Sequence, residues 1–188
     1  MMQLCFPTIY WHFHVGKIDF NNLEELCTVN TEWECLVKTS RGLDYDWSNF
    51  LEIIHPYFSQ LPFKQNDYMT GDLQFSEPWM NVYTKGCYQE PHQHCSGGIQ
   101  LSYCYFSKLP EGCGKFGFWN EIFRNYCTSD LHSIMDLNLQ EWGYPEVKEG
   151  DLLIFPAFLI HQVTYHKVDE PRVTISGNVK NQYPNINQ

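Results

Sequence analysis

The 188 residues carry 22 acidic against 12 basic side chains, a formal net charge of −10, and no run of Lys or Arg. The electrostatic footprint that supplies most non-specific nucleic-acid affinity is therefore missing, and no nucleic-acid partner is expected. Only 18% of residues are charged while 16% are aromatic, enough apolar surface to build a sizeable core and to argue against intrinsic disorder. No stretch approaches the roughly 20 apolar residues of a membrane-spanning helix, so no membrane partner is expected.

In chain order, the opening MMQLCFPTIYWHFHVG lacks a basic n-region and alternates apolar residues with His and Gly. It is expected as a strand rather than a signal peptide. Asn21 or Asn22 is placed to cap a short helix through Leu23, Leu26 and Cys27. Asp46 is placed to cap a second through Phe50, Ile53, Ile54 and Phe58. Residues 1–77 thus form a strand with helical support. From Pro78 the character changes to β-rich runs punctuated by Gly and Pro: WMNVYTKG, GIQLSYCYF, KFGFWN, DLLIFPAFLIHQVTYH and PRVTISGNV. Such runs predict an antiparallel sandwich or barrel over 78–179. The stretch 121–141 is less regular, either a partly helical insertion or a lid over a site. No linker, repeat or low-complexity tract divides the chain, so one domain over 1–188 is expected, with nothing in the sequence to set an oligomeric state.

The eight cysteines (Cys5, Cys27, Cys35, Cys87, Cys95, Cys104, Cys113 and Cys127) include no CxxC pair, which argues against a structural zinc. They are expected as mostly buried thiols of a reducing, cytoplasmic protein.

Of the eight histidines, His12 and His14 share one face of the opening strand. Metal binding there lacks a third ligand, and a half-exposed strand face accounts for the pair. His55, His132 and His166 are lone residues without an assigned role. His92 and His94, in NVYTKGCYQEPHQHCSGG, are different. Side chains at i and i+2 of a strand point the same way, roughly 7 Å apart. One ion with imidazole nitrogens at roughly 2.1 Å would bridge them. A third ligand must come from a distant strand, and His161, closing the apolar run LLIFPAFLIH, is the best placed. Arg172 and Thr174 then share one side of PRVTIS. A forked guanidinium beside a hydroxyl is suited to holding a carboxylate bidentately. The plainer alternatives are core or surface histidines and an edge-strand Arg.

These residues resemble the 2-oxoglutarate- and Fe(II)-dependent oxygenases, in particular the prolyl-4-hydroxylase-like branch and its small bacterial and phage relatives. Tyr83, Gly86, Pro91 and His92 match the spacing of that branch. So do Gly150 and Asp151 opening an apolar strand, His161, and Arg172 followed by Thr174. The match covers about Trp79 to Asn178, and the N-terminal third carries no motif of the family. The resemblance implies a mainly β fold with flanking helices, a double-stranded β-helix of the jelly-roll or cupin kind. It implies Fe(II) on His92, His94 and His161 as the catalytic centre. It also implies 2-oxoglutarate as co-substrate paired to Arg172 and assisted by Tyr83 and Thr174, O2 as oxidant, and ascorbate as a stimulant. The reaction would hydroxylate an unactivated C–H of a prolyl, other amino-acid or peptide substrate, with decarboxylation of 2-oxoglutarate to succinate. Tyr103 and Tyr105 either line the cavity, with Tyr103 at the co-substrate, or are core aromatics.

One departure from the family stands out: its usual His-X-Asp is His92-Gln93-His94 here, so imidazole replaces the carboxylate, as in related phage-type sequences. If His94 does not coordinate, water or Glu90 completes the site. Two other readings remain open, a three-His cupin-type or thiol dioxygenase independent of 2-oxoglutarate, and a non-catalytic jelly-roll binding protein.

Overall fold

The computed structural model describes residues 9–30, 35–62, 73–129 and 140–181. In chain order these form β1 (Trp11–His14), α1 (Leu23–Leu26), β2 (Thr28–Val29), β3 (Lys38–Thr39), α2 (Ser48–Phe58), β4 (Leu73–Phe75), β5 (Trp79–Tyr83), β6 (Gln89–His92), β7 (Ile99–Lys108), β8 (Phe116–Trp119), α3 (Glu121–Thr128), β9 (Trp142–Gly143), β10 (Asp151–Pro156), β11 (His161–Val163) and β12 (Arg172–Asn181). Two antiparallel sheets result. The larger runs β1-β10-β7-β12-β5-β3-β2, with β4 pairing to β12, and the smaller runs β6-β11-β8-β9.

Alternation along β12 explains how the layers form. Val173, Ile175 and Val179 point to one side of the large sheet, into a core shared with Phe50, Ile54 and Phe58 of α2 and with Leu23 of α1. Arg172, Thr174 and Ser176 take the other side, as the period of two requires. A second core, between the two sheets, joins Tyr83, Cys104, Phe106, Leu153 and Phe155 of the large sheet to Phe116, Phe118 and Val163 of the small one. Ile54 and Phe58 are fully buried, each contributing about 2 kcal/mol by removal from water. The cap position of α2 is Trp47, which makes no side-chain cap bond, and Asp46, expected as the cap, stands one residue earlier with its Oδ1 accepting the Ser48 N–H at 2.9 Å. Asn22 occupies the cap position of α1 but makes no side-chain cap bond.

The β-rich run DLLIFPAFLIHQVTYH forms two strands in different sheets. Pro156 has no N–H to extend the ladder. The chain turns there, with Leu159 N–H donating to Pro156 O at 3.0 Å and Ala157 N–H to Gln100 O at 2.9 Å. After Asp151, β10 is apolar because it lies inside the large sheet. Leu152 and Ile154 face the helices, and Leu153 and Phe155 face the other sheet.

β1 lies along β10 and brings His14 opposite Asp151. Both exposed histidines of β1 bind that buried carboxylate at 2.8 Å, through His12 Nε2 and His14 Nδ1. The pair that looked like an idle strand face is thus an anchor. Just before Asp151, Gly150 has φ +86°. A Cβ there would meet Gly16 backbone atoms at 2.8–3.0 Å, while the Gly150 carbonyl accepts from the N–H groups of Val15 and Gly16. Only glycine allows so close an approach.

Within 121–141, α3 is helical, its cap formed by Asn120 Oδ1 accepting from Ile122 N–H, and residues 130–139, with His132, lie outside the described residues. Cys5 lies outside them too, and the seven other cysteines are free. Among the described residues no helix is long and apolar enough to cross a membrane.

Candidate metal and co-substrate site

The turn that splits β10 from β11 is what builds the centre. It returns His161 into the small sheet, where it becomes the register partner of His92 on β6. β6 ends at His92, so His94 is not on the strand as expected. It sits on the following loop, held by its own N–H donating to Ala157 O at 2.8 Å. The loop draws the two rings closer than the i, i+2 spacing of a strand: their centroids are 5.1 Å apart, with His92–His161 at 4.3 Å and His94–His161 at 5.2 Å. One nitrogen from each ring lies within 4.8 Å of the others, and among the described residues no carboxylate joins the group. Glu90 lines the cavity nearby, with a buried Oε2 that has no hydrogen-bond partner among the described residues.

Two of the rings have their tautomer set by the backbone. His92 Nδ1 lies 2.8 Å from Glu90 O and His161 Nδ1 lies 2.8 Å from Leu159 O. A carbonyl only accepts, so each Nδ1 carries the proton and each Nε2 keeps a free lone pair. Burial among Phe116 and Phe155, with the neighbouring His92 adding to it, pushes His161 down to about 3. Burial, His92 and Arg41 push His94 down to about 4. Neutral imidazoles with oriented lone pairs are the form that coordinates a transition metal.

The centre opens on a cavity of about 250 Å³ between the sheets, whose walls include Trp79, Asn81, Tyr83, Thr174 and Arg41. Arg172 is the register partner of Tyr83 and is fully buried. Its guanidinium carbon stands 4.9 Å from the Tyr83 ring centroid and 5.6 Å from that of Phe106. Nε, Nη1 and Nη2 are all buried without a hydrogen-bond partner among the described residues. A permanent charge in that state is costly unless an anion joins it. A carboxylate, which takes two parallel N–H bonds from a guanidinium, fits the requirement. Thr174 lies on the same side of β12, buried at the cavity wall. Burial raises the Tyr83 phenol, against a smaller downward pull from Arg172, so it is a neutral donor beside the cation.

Tyr103, expected either at the co-substrate or as a core aromatic, meets both surroundings. It borders the cavity, but its ring packs against Phe50, Phe58 and Phe75 on the helix side of the large sheet. Tyr105 is also on that side, donating from its hydroxyl to Gly16 O at 2.8 Å. Both are core aromatics, because alternation along β7 puts Ser102, Cys104 and Phe106 on the lumen side instead. Arg41, Trp79 and Asn81 were not anticipated. Trp79 and Asn81 were readable in principle, since they alternate with Tyr83 along WMNVY. Arg41 belongs to no motif.

The family model for 2OG-Fe(II) oxygenases matches residues 77–178. None of the curated proteins matches the chain by sequence. Among solved structures, HygX from Streptomyces hygroscopicus, with nickel, 2-oxoglutarate and hygromycin B bound, superposes at TM-score 0.62 and 11% identity over 94% of this chain and 84% of that one. A prolyl-4-hydroxylase from Pseudomonas putida gives 0.57 and 12% over 86% and 80%. The chain spans 48% of the length of a 2OG-Fe(II) oxygenase family oxidoreductase from Burkholderia pseudomallei, with 61% of its own residues aligned, TM-score 0.46 and 9% identity. The two sheets are those of a double-stranded β-helix, and the chain belongs to the 2OG-Fe(II) oxygenase family, whose members use Fe(II), 2-oxoglutarate and O2.

Proposed function

We propose that the chain is a hydroxylase in which His92, His94 and His161 hold Fe(II) and Arg172, aided by Tyr83 and Thr174, holds the far carboxylate of 2-oxoglutarate. The net reaction is R–H + O2 + 2-oxoglutarate giving R–OH + succinate + CO2. A prolyl residue in a peptide or protein, or a free amino acid or related metabolite, is the substrate that the resemblance favours. When bound, the iron supplies the activation of O2 and the oxidation of an unactivated C–H.

The protein's own residues do the rest. The backbone carbonyls of Glu90 and Leu159 hold His92 and His161 as Nδ1–H tautomers. Arg172 orients the co-substrate from the far end of the lumen, and the Phe116 and Phe155 rings keep water from the buried side of His161. Three neutral ligands give the centre one more positive charge than two imidazoles and a carboxylate. This raises its potential and shifts its metal preference.

The observation that carries this reading is the fully buried guanidinium of Arg172, without a hydrogen-bond partner among the described residues and packed on Tyr83, which lines the same cavity as the three imidazoles. In a three-His dioxygenase without a diacid co-substrate the same cation would hold a carboxylate of the primary substrate, so turnover of 2-oxoglutarate separates the two readings. The decisive test is conversion of 2-oxoglutarate to succinate by the purified protein with Fe(II), ascorbate and O2, in the absence of any primary substrate. No succinate above the metal-only control removes the reading.

A further inference from the structure

The cavity carries a second cation that the hydroxylase reading leaves unused. Arg41 follows β3, and Ser40 ties it to the start of β5: Ser40 N–H donates to Met80 O, and Ser40 Oγ accepts from Met80 N–H. From there the guanidinium lies over the Trp79 ring, its carbon 3.8 Å from the centroid. Trp79 in turn has its ring 6.2 Å from that of His94. Arg41 is exposed and lines the cavity together with exposed Gln93 and half-buried Gln162, so it stands at the mouth.

Trp79 and Tyr83 are four residues apart on β5, which at the rise of a strand separates their backbone positions by about 13 Å. Arg41 rests on the first and Arg172 on the second. The two cations therefore stand at opposite ends of the lumen, with the imidazole cluster nearer the Arg41 end. A five-carbon diacid that chelates the metal with one end and pairs with Arg172 at the other has no carboxylate left for Arg41. Between the two ends, on the same side of β5, Asn81 presents a buried Oδ1 with no hydrogen-bond partner among the described residues.

We propose that Arg41 is a specificity-determining residue that binds a carboxylate of the primary substrate, with Asn81 Oδ1 accepting from an N–H or O–H of the same molecule. The inference rests on the hydroxylase reading and narrows its substrate class. A small free α-amino or α-hydroxy acid satisfies both groups, whereas an internal residue of a polypeptide has no free α-carboxylate to offer. Trp79 supports the guanidinium from its ring face, and such a contact keeps Arg, rather than Lys, pre-organised for a bidentate carboxylate.

The test uses the whole protein loaded with Ni(II) and 2-oxoglutarate. Saturation-transfer NMR compares a panel of free L-amino and 2-hydroxy acids with their amides and with a prolyl peptide blocked at both ends. At least one acid is expected to bind tenfold or more tighter than its amide to wild type. That preference is expected to vanish in Arg41→Gln and to return in part in Arg41→Lys, with thermal melting reporting whether each variant is folded. The acid-against-amide comparison in wild type stands whether or not the variants fold. Absence of binding by every acid, equal binding of amides or of the blocked peptide, or an undiminished acid preference in folded Arg41→Gln overturns the proposal. Succinate formation by the Fe(II)-loaded wild type is measured alongside. Its absence sinks the hydroxylase reading, whereas its presence without an acid preference sinks only the role of Arg41.

Discussion

His92 and His161 are direct partners across the β6–β11 pair, and each has its Nδ1 2.8 Å from the carbonyl oxygen two residues earlier in its own chain. The two strands thus present matching imidazoles with Nε2 free. The backbone, not a side-chain partner, sets the tautomer, so no substitution of a neighbouring carboxylate is available to disturb it.

It follows that removing a ring is far more damaging than changing its surroundings. His161→Ala is expected to lower Ni(II) affinity by more than roughly 100-fold in a calorimetric titration. His94→Asp is expected to retain the metal, because a carboxylate on the 93–95 loop supplies the donor that the family usually has there. Unchanged binding in His161→Ala would show that the three rings only shape a pocket.

Arg172 sets function against stability. Without an anion its guanidinium is a buried charge with no hydrogen-bond partner among the described residues, and replacing such a group with an apolar side chain of similar length relieves a desolvation cost. Arg172→Met is therefore expected to raise the thermal midpoint of the ligand-free protein by a few degrees. The same change is expected to weaken 2-oxoglutarate binding by about 2–3 kcal/mol, roughly 30- to 150-fold, with metal affinity unchanged. A destabilised variant that still binds the co-substrate normally would contradict both halves.

Asp151 accepts from Lys148 N–H and binds both His12 and His14. Burial alone would raise its carboxyl, but these three contacts together hold it below the usual range. A depressed carboxylate stabilises the fold above its unfolded value, about 3.9, and that contribution is lost as the pH falls through the lower folded value. Asp151→Asn is expected to cost about 2 kcal/mol at pH 7 by urea unfolding. The gap from wild type is expected to narrow below about pH 4. A gap that persists at pH 2.5 would place its origin elsewhere.

Tyr103 belongs to the helix-side core, and its hydroxyl is buried without a hydrogen-bond partner among the described residues. Tyr103→Phe is expected to leave 2-oxoglutarate affinity within twofold of wild type and stability equal or up to about 1 kcal/mol higher. Gly177→Ala is expected to destabilise strongly, since the new Cβ would collide with Oη and Cζ of Tyr103. A marked loss of co-substrate affinity in Tyr103→Phe would restore that residue to the lumen.

Local chemistry makes much of this protein legible from its residues alone. Alternation along LSYCYF and PRVTIS announces strands, since a half-buried strand has no other way to pattern its side chains. The spacing of Tyr83, His92, His161 and Arg172 carries the resemblance, because metal and carboxylate chemistry tolerate few substitutes. What alternation cannot state is which side of a strand becomes the lumen. It places Tyr103 and Tyr105 together, but only the packing of α2 against Val173, Ile175 and Val179 makes that side the helix core. Nor does a continuous apolar run show where it changes sheets. The turn after Pro156 does so, and it delivers His161 to His92 and Ala157 to His94 at once. His12 and His14 find Asp151 only across sequence separations of 139 and 137 residues. Arg41 reaches Trp79 through Ser40 and no motif. Residue identity and spacing determined the chemistry available to this chain, and the long-range pairing of its strands decided which groups meet, because contacts across sheets leave no trace in local periodicity.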